Sequence, residues 1–151
     1  MKSYLVALTL AFGAVSAAPA LAQETPIDVK KTNGCGCCIG WMQNLEENGF
    51  APTGEDIILG VLARLKIDSG VPQSMASCHT AFIDGYVIEG HVPAADIRRL
   101  LEERPDSVGL AVPGMPYGSP GMGPEEDREA YDVFLITKSG STEVFSSYAE
   151  N

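Results

Sequence analysis

Three cysteines within four residues, Cys35-Gly36-Cys37-Cys38, constrain this chain more than any other stretch. Thiols crowded this closely must be presented by a backbone that can aim several sulfurs at one point. Just before them, Ile27 and Val29 alternate with Asp28 and Lys30, a period-two pattern that predicts a strand. Asn33-Gly34 breaks that strand. The cysteines then open a helix in which Trp41 and Met42 reach Leu45 at i,i+4 and i,i+3, while Gln43, Asn44, Glu46 and Glu47 take the wet face and Gly49 closes the helix.

The chain start decides how those thiols are read. Lys2, the apolar stretch Tyr4 to Ala18 and the small-x-small site Ala20-Leu21-Ala22 predict a signal peptide over residues 1–22, cleaved after Ala22. A spanning helix would need about 20 apolar residues and would not end in such a site. Residues 23–151 are thus expected to be one exported domain with no membrane segment of its own. In that compartment a thiol persists only in a disulfide or on a metal. With 20 Asp+Glu against 10 Lys+Arg and a net charge of -10, the chain is not a basic nucleic-acid binder.

Beyond the cysteine helix, Phe50 to Gly54 has little strand character. Glu55 and Asp56 suit a helix N-terminus, followed by an apolar stripe of Ile58, Val61, Leu62 and Leu65 that stops before Gly70. Asp84-Gly85, set between Ala81-Phe82-Ile83 and Tyr86-Val87-Ile88, predicts a two-residue hairpin. Pro93, Asp96, Ile97, Leu100 and Leu101 predict a helix ending at Pro105. From Gly109 to about Glu126 the chain reads as a Pro/Gly-rich loop with the unit Pro-Gly-Met at Met115 and again at Met122. Val133 to Ile136 and Thr142 to Phe145 predict a closing hairpin.

Strand, cysteine motif, helix, helix, Val-Pro, hairpin, helix is the order of a thioredoxin-like domain. The predicted class is α/β: one such domain, a mixed sheet flanked by helices, with a Pro/Gly/Met-rich loop and a C-terminal hairpin. In such folds an X-Pro bond faces the cysteine pair, here Cys35 and Cys38, and Val71-Pro72 stands in the corresponding place.

Cys78 lies far along the chain from the other three. One tetrahedral zinc suits this set poorly, because adjacent Cys37 and Cys38 diverge on a helix and zinc knuckles take spaced pairs. Crowded soft thiolates suit Cu(I), which accepts two or three sulfurs and lets one thiolate bridge two metals. Helix N-termini stabilise thiolates, the form that metals bind. Two disulfides, such as Cys35 to Cys38 and Cys37 to Cys78, remain the alternative.

His79 follows Cys78 and is a candidate ligand or orienting group, although strand alternation would face the two apart. His91, ahead of Pro93, is a candidate ligand or a hydrogen-bonding residue. Met115 and Met122 carry thioethers that bind Cu(I), and their loop is expected to cover or feed the cysteine site. Trp41 is expected in the core.

Several of these stretches carry a resemblance. Cys-Gly-Cys-Cys-x-x-Trp (Cys35 to Trp41), Gly-Val-Pro (Gly70 to Pro72), Ser-Cys-His-Thr-Ala (Ser77 to Ala81), Asp84 to Pro93 and Pro113 to Met122 resemble the exported metal-binding proteins grouped under an uncharacterised domain, which include the CopG copper-resistance proteins. The resemblance implies a thioredoxin-like fold, copper held by Cys35, Cys37, Cys38 and Cys78, and a part in periplasmic copper handling alongside other periplasmic copper proteins. The function expected is sequestration or redox conversion of Cu(I), more than one ion per chain. The alternatives are a thiol-disulfide oxidoreductase using Cys35 and Cys38, or a chaperone that passes copper to a partner.

Overall fold

The computed structural model describes residues 24–151; the predicted signal peptide lies outside them. Those residues form seven strands, three α-helices and two short 3₁₀ turns. In chain order they are β1 (Thr25–Lys31), α1 (Gly36–Glu47), β2 (Phe50–Asp56), α2 (Leu59–Asp68), β3 (His79–Ile83), β4 (Tyr86–Glu89), α3 (Ala94–Glu103), β5 (Ser107–Ala111), β6 (Tyr131–Thr137) and β7 (Thr142–Tyr148). All seven strands join one mixed sheet in the order β2-β1-β3-β4-β5-β6-β7. β1 and β2 run parallel across α1, and β4 and β5 parallel across α3, while the remaining neighbours are antiparallel. The α/β class, with its single mixed sheet and closing hairpin, is as the sequence predicts.

One face of the sheet carries the main core. Trp41 and Leu45 of α1 and Ile97 and Leu100 of α3 pack there with Val29, Ala81, Ile83 and Ile88. The opposite face holds a smaller cluster of Val71, Val87, Ala111 and Ile136, with Phe82 against it. Because successive strand residues alternate between faces, His79 shares the α1 face with Ala81, whereas Thr80 and Glu89 share the other with Phe82 and Val87. The hairpin turn is Asp84-Gly85 as predicted, with φ of 46° and 87°. Asp96 is buried and accepts the Tyr148 hydroxyl at 2.7 Å and the Ser146 hydroxyl, which ties β7 to the first turn of α3.

Four expectations are corrected. Phe50 to Gly54 is the start of β2, an edge strand, where Pro52 costs no ladder bond and exposure removes the alternation. Glu55 and Asp56 end that strand rather than start a helix, and they face Lys30 and Lys31 of β1 in the parallel register. Of the stripe assigned to α2, Leu62 is buried and Leu65 half-buried, whereas Ile58 and Val61 are exposed; the second buried residue of this helix is Lys66. The stretch assigned to the loop from Gly109 begins inside β5. The Val71–Pro72 bond is trans, and Pro72 precedes the 3₁₀ turn Gln73–Met75 on the way to Cys78.

Candidate metal centre

Cys35 sits at the N-cap of α1 without offering a side-chain cap, so the first turn of the helix meets the site with its N–H groups and the positive end of its dipole. Cys37 and Cys38 follow in that turn. Cys78 comes from a distant part of the chain, directly ahead of β3. The four sulfurs lie within 4.8 Å of one another. Cys35 and Cys38 are joined in a disulfide, with Cα atoms 5.3 Å apart, and Cys37 and Cys78 are free. The Cys37 sulfur stands 3.6 Å from Cys35 and 3.8 Å from Cys78. The sequence brings all four together as expected, but one of the two alternative disulfides is formed and the other is not.

A second group shares Cys78. Its sulfur is 3.3 Å from Nδ1 of His79 and 3.1 Å from Nε2 of His91. These three donors also lie within 4.8 Å of one another. The expectation that His79 faces away from Cys78 is overturned, because β3 begins at His79 and strand alternation does not extend back to Cys78. Both histidines are fully buried. The rings of Trp41 and His79 are 4.3 Å apart, and the Trp41 indole N–H donates to Val92 O at 2.9 Å. Trp41 is core, as predicted, and it also walls the histidine side of the site.

The charge states follow from these surroundings. Burial pushes His79 down to about 3, helped by the neighbouring His91 and Lys66, so its imidazole is neutral. Burial likewise lowers His91. Nδ1 of His91 lies 2.8 Å from the carbonyl of Pro120, which can only accept, so Nδ1 carries the proton and Nε2 turns its lone pair to Cys78. Burial, and then the charge and hydrogen bond of Cys37, push the Cys78 thiol up to about 12. Without a metal, Cys78 is therefore a thiol donating to a ligand-ready imidazole. Nε2 of His79 is buried with no partner at all. Two neutral imidazoles that each set a ring nitrogen beside Cys78, together with two free thiols, fit a soft or borderline metal, and they do not fit a site of carboxylates and water.

The Pro/Gly/Met loop reaches this centre at two points. Ser77 Oγ donates to Gly114 O at 2.5 Å, and Pro120 O holds His91. Gly121 then packs on α1: a Cβ there would collide with the Trp41 nitrogen and stand 2.7 Å from the Cys37 carbonyl, at a φ of 82°. Only glycine lets the loop run this close. Met115 is 55% exposed and Met122 half-buried.

Comparisons with other proteins agree with this geometry. A family profile described as "Protein of unknown function, DUF411" matches residues 75–122, which hold Cys78, both histidines and both loop methionines but not the cysteines of α1. No curated protein matches the chain. A solved structure titled "Copper resistance protein copG- Form 1" is 48% identical, covers 83% of this chain and 98% of its own, and superposes with a TM-score of 0.78. Its Form 2 gives 49% identity, 82% and 98% coverage, and a TM-score of 0.75. The chain belongs to this family of copper-resistance proteins.

Sequence reasoning missed two residues of this CopG-family chain that lie behind the centre, across the sheet, Lys66 and Glu89, which form a buried ion pair at 2.5 Å. The available signal was an acid inside the apolar run Tyr86-Val87-Ile88-Glu89 and a lysine one helical turn after the buried Leu62.

Proposed function

We propose that this protein is exported to the periplasm and binds copper there as Cu(I), more than one ion per chain, either to sequester it or to change its redox state. The observation that carries the reading is the position of Cys78. It belongs at once to a sulfur group with Cys35, Cys37 and Cys38 and to a nitrogen group with His79 and His91. A thiolate can bridge two soft cations, so a shared cysteine between two donor groups suits a small cluster better than a single ion. Copper would displace the Cys78 proton and take the two lone pairs that the buried imidazoles offer. The first four strands with their helices are read as a thioredoxin-like unit, in which the start of α1 presents the cysteines. Among the described residues no helix is long and apolar enough to cross a membrane.

The Cys35–Cys38 disulfide favours a second reading, thiol–disulfide chemistry coupled to copper. Oxidation of that dithiol to the disulfide releases two electrons and two protons, which would reduce two Cu(II) ions to Cu(I); a thiol donor would restore the dithiol. The test is an anaerobic copper titration of the fully reduced protein with metal analysis. More than one copper per chain, with a sulfur-to-metal absorption band, supports the proposal. A single zinc per chain that copper fails to displace removes it.

A further inference from the structure

A buried ion pair on the face of the sheet opposite the histidines holds the segment that carries Cys78, and the copper reading makes no use of it. Glu89 is fully buried on the central strand β4, whose other residues, Tyr86, Val87 and Ile88, are apolar. Lys66 reaches it from α2, donating to Glu89 Oε1 at 2.5 Å and to Thr80 Oγ1 at 2.9 Å. Glu89 Oε1 also accepts the backbone N–H of Ser77 at 2.6 Å, and its Oε2 accepts the Thr80 hydroxyl at 2.7 Å. All these groups are satisfied, yet burying two charges costs several kcal/mol, and an apolar pair of similar volume is often neutral or more stable. Stability therefore does not account for a lysine and a glutamate here.

The partners of Glu89 are the telling feature. Ser77 immediately precedes Cys78, and Thr80 immediately follows His79. The ladder to β1 ends at the pair Lys31 and His79, so Cys78 has no strand partner to fix it. The carboxylate substitutes for that missing ladder by gripping both ends of Cys78-His79. Thr80 and Glu89 are direct cross-strand partners, which sets the grip in register with the hairpin. Glu89 also leads into Gly90-His91, where Gly90 N–H donates to His79 O at 3.1 Å. At Gly90, with φ of 72°, a Cβ would lie 2.6 Å from both Ser77 Cβ and Val112 O, so the chain passes the Ser77 segment in direct contact.

We propose that Lys66, Glu89 and Thr80 are positioning residues of the copper site: their network holds Cys78 and His79 against His91, so that copper meets the three donors together without a rearrangement. This inference rests on the copper reading and adds residues to it from the far side of the sheet.

The test compares wild type with the double variant Lys66→Met/Glu89→Leu, which removes the charges while keeping the space filled. Circular dichroism and thermal unfolding should report a folded protein, since the lost ion pair and the newly unpaired Ser77 N–H and Thr80 hydroxyl act in opposite directions on stability. Competition with a chromophoric Cu(I) chelator should show binding about tenfold weaker, and copper-edge X-ray absorption should lose imidazole scattering. A folded double variant with wild-type affinity and imidazole scattering overturns the inference. A wild type that binds no copper overturns the copper reading instead, so the two failures are distinct. Thr80→Val and Thr80→Ser decide independently of how the double variant folds: Val should weaken copper binding severalfold and Ser should restore it, whereas wild-type binding in both rejects the positioning role.

Discussion

The sulfur side and the nitrogen side of the centre are built differently. Cys35, Cys37 and Cys38 sit on one turn of α1, and two of them are joined by a disulfide, so this side changes its donor number with redox state. Cys78-His79 and His91 come from the two ends of a hairpin, both rings are buried, and the Pro120 carbonyl fixes one tautomer. One side is adjustable and the other preorganised, and Cys78 joins them. The number of metal ions held should therefore depend on redox state while the nitrogen side stays constant.

The largest effect should come from breaking the shared member. Cys78→Ser is expected to abolish the cluster and copper tolerance, whereas Cys35→Ser should leave the Cys78–histidine side able to bind; anaerobic titration and growth on copper distinguish the two. Next in size, His91→Gln removes one nitrogen and should weaken the preorganised side by about tenfold to a hundredfold, read by chelator competition, with the sulfur-to-metal band retained.

The pH response sharpens the same contrast. Cys78, pushed up to about 12, is protonated at neutral pH, so the copper that first claims it must displace its one proton. Below that value, Cu(I) affinity should rise about tenfold per pH unit for each proton displaced and fall as pH drops. His79, lowered to about 3, is already neutral and should add no pH dependence between pH 5 and 8, roughly a range well above that value. Titrations at several pH values measure the slope; a flat response would place Cys78 outside the binding step.

These two sides were unequally legible in the sequence. The cysteine helix announced itself through local spacing: Asn33-Gly34, the thiols, and Trp41 one turn before Leu45. The Asp84-Gly85 turn was equally plain, since its residues tolerate the positive φ that it needs. What stayed hidden depends on distant partners. Cys78 and His79 read as strand neighbours facing apart until the start of β3 was known, and Lys66 and Glu89 meet only when α2 folds over the sheet. β2 and β5 escaped notice for local reasons. The first is an edge strand with Pro52 and Gly54, and the second carries Gly109 beside an irregularity in its pairing with β6.

The smallest effect is expected at Met115 and Met122. Changing both to Leu preserves volume and removes the thioethers. With Met115 exposed, the double variant should fold normally and keep its cysteine-bound copper, changing only the rate of exchange with chelators or the affinity for the last equivalent. Unchanged exchange and affinity would assign both residues to packing.

Copper-edge X-ray absorption of the reduced, copper-loaded protein tests the bridging role of Cys78 most directly. A bridging Cys78 should give a first shell of sulfur with an imidazole contribution and a copper–copper distance, with the copper–copper feature absent in Cys78→Ser. A sulfur-only shell without imidazole, or a copper–copper feature that survives in Cys78→Ser, would contradict it.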